Sequence, residues 1–320
     1  MPAAKRIRPL DLFSETEWET LRQRSNFLGL GMIAHCWVII AAAIALAIWQ
    51  PWLIPLAIPI IGARQLGLAV IMHEAAHGGL STHKAVNDFA GHWLGGAPIG
   101  AHLGNYRNYH LQHHKYAQQP EDPDLILSAP FPITKESFKR KIIRDLTGQT
   151  FFKQRKNQFA KALGRGTSRS RGRENMSQSA REAVIPFLFV NALLLIGLSI
   201  AGYWWAYFLL WLLPLATWNM MVTRIRNIAE HAVVPDHEDP MRHARTTRIN
   251  FFEALFIAPY WVNYHCEHHM FMHLPCYRLG AAHRLLSAKG ITKQMEVQRG
   301  YGRVIRQAAS KAATQSPGAF

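Results

Sequence analysis

Four apolar runs, each long enough to cross a bilayer as a helix, restrict the possible folds of this chain more than any other feature. Phe27 to Trp49 is about 23 residues, roughly 34 Å of α-helix against a hydrocarbon core of about 30 Å. Gln50 and Pro51 break it, and a second run covers 51–72, stopping just before His73. Two more follow at 183–201 and 203–222, with Gly202, Tyr203, Trp204 and Trp205 around the join. The expected fold is all-α and integral to the membrane, with four transmembrane helices in two hairpins. Arg64 lies inside the second run. A central arginine costs about 2.5–3.5 kcal/mol on insertion scales, so it must face protein, water or headgroups.

Charge orients the hairpins. Trp49 and Trp52 at one turn, and Tyr203 to Trp205 at the other, form the aromatic belt of a membrane interface, and neither turn contains Lys or Arg. The basic residues crowd instead into the N-terminal arm, the middle segment and the C-terminal segment, so both termini are expected in the cytoplasm. The net charge of +16 then serves anionic lipid headgroups and argues against a nucleic-acid partner. The N-terminus has no apolar core leading to a cleavage site, so no cleaved signal peptide is expected. Cys36, Cys266 and Cys276 form no CxxC pair and read as free thiols in a reducing compartment. Within the middle segment, Lys135 to Leu163 sets Phe138, Ile142 and Leu146 at helical spacing among basic residues, as in an interfacial helix. Gly164 to Ser179, rich in Gly, Ser and Arg, reads as a mobile loop.

Of 17 histidines, eight fall into three tight boxes. His73 and His77 belong to HEAAH, His110, His113 and His114 to HLQHH, and His265, His268 and His269 to HCEHH. Spacings of three and four place side chains on one helical face, so each box can aim its imidazoles at one point. A lone histidine is usually a surface or hydrogen-bonded side chain. Three boxes on the same side of the membrane are not explained that way, and they point to a metal site in a cytoplasmic helical cap. His231, in Asn227-Ile228-Ala229-Glu230-His231 after the fourth run, stands where His73 stands after the second and is expected as a ninth ligand. Asn227, one turn earlier, is a candidate for orienting a metal-bound water. Glu74, Glu230, Glu267, Asp122 and Asp124 are candidates for holding the second ring nitrogen of a ligand histidine. His35, His83, His92, His102, His237, His243, His273 and His283 lack box spacing and receive no role.

Imidazole suits zinc, copper, iron and nickel alike, but a single zinc needs only three or four ligands. Eight or nine histidines suffice for two ions with open positions. HEAAH, HLQHH and HCEHH, in this order between two hairpins, resemble the membrane fatty acid desaturases, a family that includes hydroxylases and ketolases. The resemblance runs from His73 to Leu279, through the DPDL after the second box and the run from Glu267 to Phe271. The NIAEH element is similar to a histidine motif of membrane alkane hydroxylases. The resemblance implies one catalytic domain over 27–300, a cytoplasmic arm at 1–26 and a flexible tail at 301–320. It implies a non-haem site of two Fe ions that uses O2 to make a double bond in a fatty acyl or related lipid chain. An alcohol or ketone from a lipid, carotenoid or small molecule is the alternative outcome. Electrons would come from a separate ferredoxin, rubredoxin or cytochrome with its reductase, since the chain has no HPGG haem motif and no CxxC pairs. The basic stretch between Lys135 and Arg173 is the expected dock for an acidic carrier.

Two rival readings exist. HEAAH also satisfies the HExxH pattern of a zinc protease, with Glu74 as base, but this leaves both HxxHH boxes without a use. A metal transporter would need polar residues along its spans, and these runs have few.

Overall fold

The computed structural model describes residues 5–165 and 171–312. Four helices are long and apolar enough to cross a membrane: Asn26–Trp49, Pro51–Ala76, Ser177–Ile200 and Trp204–His231. They are called the first to fourth spans below. The first matches the apolar run closely. The second continues a turn past residue 72 and takes His73 into its last turn, with His77 as the capping residue. The fourth runs on beyond residue 222 to His231. Its polar end stays helical because the charges find partners: Arg224 donates to the fully buried Asp145, and Arg226 to Glu230 one turn later.

The third span corrects a sequence expectation. Its helix begins at Arg171, so residues 171–179 are helical where a mobile loop was expected, and 166–170 lie outside the described residues. Extending a helix already nucleated by an apolar run is far easier than starting one, and Arg, Glu, Gln and Ala carry good helix propensity. The interfacial segment is likewise two helices, Lys135–Leu146 and Gln149–Ala162, separated at Gly148, whose φ of 76° belongs to the left-handed region.

The first and second spans pack along each other through Met32, Cys36, Ile40, Ile61 and Leu68, leaving Phe27, Trp49 and Trp52 exposed on the outside. Arg64 faces protein. Its Nη2 donates to the carbonyls of Ala254 (3.2 Å) and Leu255 (3.0 Å), and its guanidinium lies over the Tyr260 ring. Those carbonyls end the Phe251–Phe256 helix, where a cation is favoured by the helix dipole. The third and fourth spans meet at buried Asn191, which accepts from Tyr207 Oη (3.1 Å) and Trp211 Nε1 (2.8 Å).

Between the second span and the HLQHH helix, Ala90–Gly96 lies directly on the end of the second span. A Cβ on Gly91 would stand 2.1 Å from the Ala75 Cβ, and one on Gly96 2.7 Å from Met72 Sδ. Only glycine permits so close an approach, and this contact fixes the height of the turn carrying His73 and His77.

The architecture is not purely helical. Strand β1 (Thr246–Arg248) pairs in parallel with β2 (Val297–Arg299), in the register Thr246 to Val297. β-branched residues at buried positions favour the extended form here. The expected tail is also corrected. Tyr301–Ala308 is a helix whose Tyr301, Val304 and Ala308 are buried against Ile225, Ile228 and Ala229 of the fourth span. An apolar face at helical spacing explains this. Residues 313–320 lie outside the described residues. The N-terminal arm packs too: Glu15–Arg22 begins with a Ser14–Glu17 capping box and buries Leu21.

Candidate metal centre

Each box sits on a helix that sets its direction. HEAAH ends the second span, HLQHH occupies the last turns of Leu103–Tyr116, HCEHH forms Leu-free His265–Met270, and His231 ends the fourth span. All nine rings meet in two groups. His73, His77, His110, His114 and His268 form one, and His113, His231, His265 and His269 form the other. Within each group the potential ligand atoms all lie within 4.8 Å of one another. The HLQHH and HCEHH boxes each divide between the groups: the i and i+4 rings (His110 with His114, His265 with His269) stay together, and the i+3 ring (His113, His268), about 100° around the helix from i+4, joins the other group.

The nitrogens converge in a way that hydrogen bonding does not satisfy. His110 Nε2 is 2.9 Å from His77 Nε2 and 3.0 Å from His114 Nε2, which is itself 2.9 Å from His268 Nε2. In the second group His231 Nε2 is 3.1 Å from His113 Nε2 and 2.9 Å from His265 Nε2, and His113 Nε2 is 3.2 Å from His269 Nε2. A neutral ring nitrogen has one proton or one lone pair, so it serves one such neighbour well and not two. Nitrogens bound about 2.0–2.1 Å from a shared first-row ion, at roughly right angles, stand about 3 Å apart. The observed separations fit that arrangement, and so does the chemistry of the donor set.

Burial disfavours the charged form of five of these rings. His110, His114, His265, His268 and His269 are all pushed well below the ordinary histidine value, first by desolvation and then by their neighbours' charges. Neutral imidazole is the form that binds a metal.

Acidic partners gather on one group. Asp122 Oδ1 is 2.8 Å from His113 Nδ1 and also accepts the Asp124 backbone N–H. Asp124 accepts from the Tyr109 hydroxyl, with its other oxygen 3.7 Å from His113 Nδ1. Glu230 Oε1 lies 3.3 Å from His265 Nδ1. His231 Nδ1 donates to the His243 carbonyl at 3.1 Å. Each contact leaves Nε2 aimed at the group centre, the pattern by which outer partners orient metal-binding rings. Among the described residues no carboxylate lies within 4.0 Å of a ring in the five-histidine group.

Two of the suspected acids point elsewhere. Glu74 accepts the backbone N–H of Cys276 at 3.2 Å and touches no ligand ring. It is therefore not placed as the base that the protease reading requires. Glu267 pairs with His283 Nδ1 and accepts from the Thr246 hydroxyl. Asn227 lines a cavity of about 280 Å³ that opens onto His110 of one group and His113, His231 and His265 of the other.

Sequence spacing missed two buried histidines. His283 is half of the Glu267 pair behind the HCEHH helix. His243 is 3% exposed, has no hydrogen-bond partner on either ring nitrogen among the described residues, and stands edge-on to His269 with centroids 5.5 Å apart. No local pattern marks either one. All three cysteines are free and buried.

The fatty acid desaturase family model matches residues 48–296, most of the chain. Among curated proteins the chain is similar to dihydrorhizobitoxine desaturase of Bradyrhizobium elkanii, at 27% identity over 268 residues, which covers 81% of this chain and 75% of that protein.

Proposed function

Because the chain belongs to the fatty acid desaturase family, we propose that it is an O2-dependent oxidoreductase that introduces a double bond into an acyl or related lipid chain at a site of two iron ions. The observation that carries this reading is the pair of histidine groups, five rings and four. They supply nitrogen donors for two ions and present both to one cavity. His73, His77, His110, His114 and His268 would hold one ion, and His113, His231, His265 and His269 the other. When bound, the pair supplies the oxidising power: O2, two electrons and two protons become two waters as the substrate loses two hydrogens.

The chain's own residues do the rest. Asp122 and the His243 carbonyl fix the tautomers of His113 and His231, and Glu230 stands 3.3 Å from His265 Nδ1. Buried apolar packing around the boxes, including Ile71, Met72 and Ile228, excludes bulk water that would compete for the site. Asn227 lines the cavity one turn before His231 and is placed to hold a water or substrate oxygen there.

The four spans support a multi-pass membrane protein arranged as two hairpins. The charge distribution supports a cytoplasmic site and cytoplasmic termini, served by a separate electron carrier of ferredoxin, rubredoxin or cytochrome type. The basic Lys135–Leu146 and Gln149–Ala162 helices are the proposed dock for an acidic carrier. If neutralising them left turnover and its salt sensitivity unchanged, the dock would lie elsewhere.

The deciding experiment is anaerobic purification with iron, metal analysis, and mass spectrometry of extracts from cells with and without the gene. Two irons per chain and a product lighter by two hydrogen atoms support the proposal. A product heavier by one oxygen atom makes the enzyme a hydroxylase on the same site. One zinc with no oxygen dependence rejects both.

A further inference from the structure

The cavity between the histidine groups is small for a site that would take a long hydrocarbon, and its mostly apolar wall carries one arginine. Its volume of about 280 Å³ falls at the bottom of the usual range for small-molecule sites, about 300–1,000 Å³. Ala69, Met72 and Leu127 give it an apolar side, but Tyr109, Ser128, Thr223 and Arg226 give it polar ones.

Arg226 is the informative residue. Its Nε donates to Glu230 Oε1 at 2.5 Å. Among the described residues its two terminal amino groups have no protein partner, and the side chain is 15% exposed, on the cavity wall. The nearby acids are already engaged: Asp124 by the Tyr109 hydroxyl, Glu230 by Arg226 itself and by His265. The guanidinium fork is therefore left facing the cavity, and its geometry matches a carboxylate.

We propose that the substrate carries a free carboxylate, that Arg226 binds it, and that the bond oxidised lies within a few carbons of that acid. This rests on the desaturase reading above. Glu230 ties Arg226 to the rings, its Oε1 being 2.5 Å from Arg226 Nε and 3.3 Å from His265 Nδ1. The guanidinium is thus no more than two hydrogen-bond lengths from a ring of the four-histidine group. An acid held there brings its nearest carbons to the site and sends the middle of a long chain past it. Esters and amides, with no free acid, lose the contact.

The test is calorimetric titration of the purified full chain, iron-loaded and metal-free, with octanoate, methyl octanoate and stearate. Wild type, Arg226→Gln and Arg226→Lys are compared, with iron content measured on every sample. The expected result is octanoate binding about ten-fold or more tighter than its methyl ester, the scale of one charge-assisted hydrogen bond. The preference should vanish in Arg226→Gln, survive in part in Arg226→Lys, and hold in metal-free protein, where direct ligation of iron by the acid is impossible. Stearate should bind no tighter than octanoate. Equal binding of acid and ester in wild type overturns the proposal, as does an acid preference that persists in Arg226→Gln, or tighter binding of stearate. If Arg226→Gln loses iron, the wild-type comparison and the lysine variant decide. A wild type without iron rejects the two-iron reading, while the acid and ester titration of metal-free protein still reports on Arg226.

Discussion

The two histidine groups are built differently. The five-ring group draws on His73 and His77 at the end of one span, and among the described residues no carboxylate lies within 4.0 Å of its ring nitrogens. The four-ring group has one donor fewer, yet Asp122, Asp124 and Glu230 stand behind it. Carboxylate contacts raise the basicity of a ligating ring and lock its orientation, so the smaller group compensates in quality of donor. It also gives three of the four rings that border the cavity. On the two-iron proposal this difference would divide the duties: the five-ring group offers more donors for holding an ion, and the four-ring group gives most of the rings that face the cavity.

Removing one ring from each group is the strongest way to break that comparison. His231→Ala should lose about one iron per chain and more than about 100-fold in turnover, beyond the range for orienting partners. His73→Ala leaves four rings and should retain more iron. Equal metal loss in the two variants, read by elemental analysis, would make the groups equivalent. Asp122→Asn should cost about 10–100-fold in metal affinity or rate, with iron lost from one group only.

Acid should destabilise the metal-free chain by roughly a few kcal/mol. His243, whose pKa is pushed down to about 4 by burial, refuses a proton that the unfolded chain accepts near 6.5. The unfolded state then binds more protons between those values, so the His243 share of the stability falls as pH drops through this window and is fully lost below it. A thermal midpoint flat from pH 7 to 4 would contradict the buried, neutral arrangement.

Next in size, His283→Ala strands Glu267 with Thr246 as its one remaining side-chain partner and should cost about 1–3 kcal/mol, seen in thermal unfolding at unchanged initial iron content. His83→Ala, at an exposed helix start with no side-chain cap bond, should change stability by less than about 0.5 kcal/mol and leave iron intact.

The boxes were legible because i, i+3 and i+4 spacing is local information, and His231 because it follows a span as His73 does. The family and the four spans were legible for the same reason. Partners chosen by distant packing were not. Glu74 and Glu267 sit beside ligand histidines in sequence, but adjacent helix positions point about 100° apart, and both acids turn to other elements. His283 meets Glu267 only because the Cys276–Ala288 helix folds back on the HCEHH helix. Arg64 looked like a fault in a span until its acceptors, Ala254 and Leu255, came from nearly two hundred residues away. The helix at Tyr301–Ala308 was different, since its apolar spacing was present in the sequence.

The second and fourth spans both end in proposed ligands, His73 with His77 and His231. A span responds to a bilayer thinner or thicker than itself by tilting, at fractions of a kcal/mol per Å of mismatch. Tilt of either helix would move one wall of the metal site against the other. Lipid thickness would thus become a mechanical input to the spacing of the two histidine groups, and turnover in vesicles of graded acyl length should peak where the spans fit untilted.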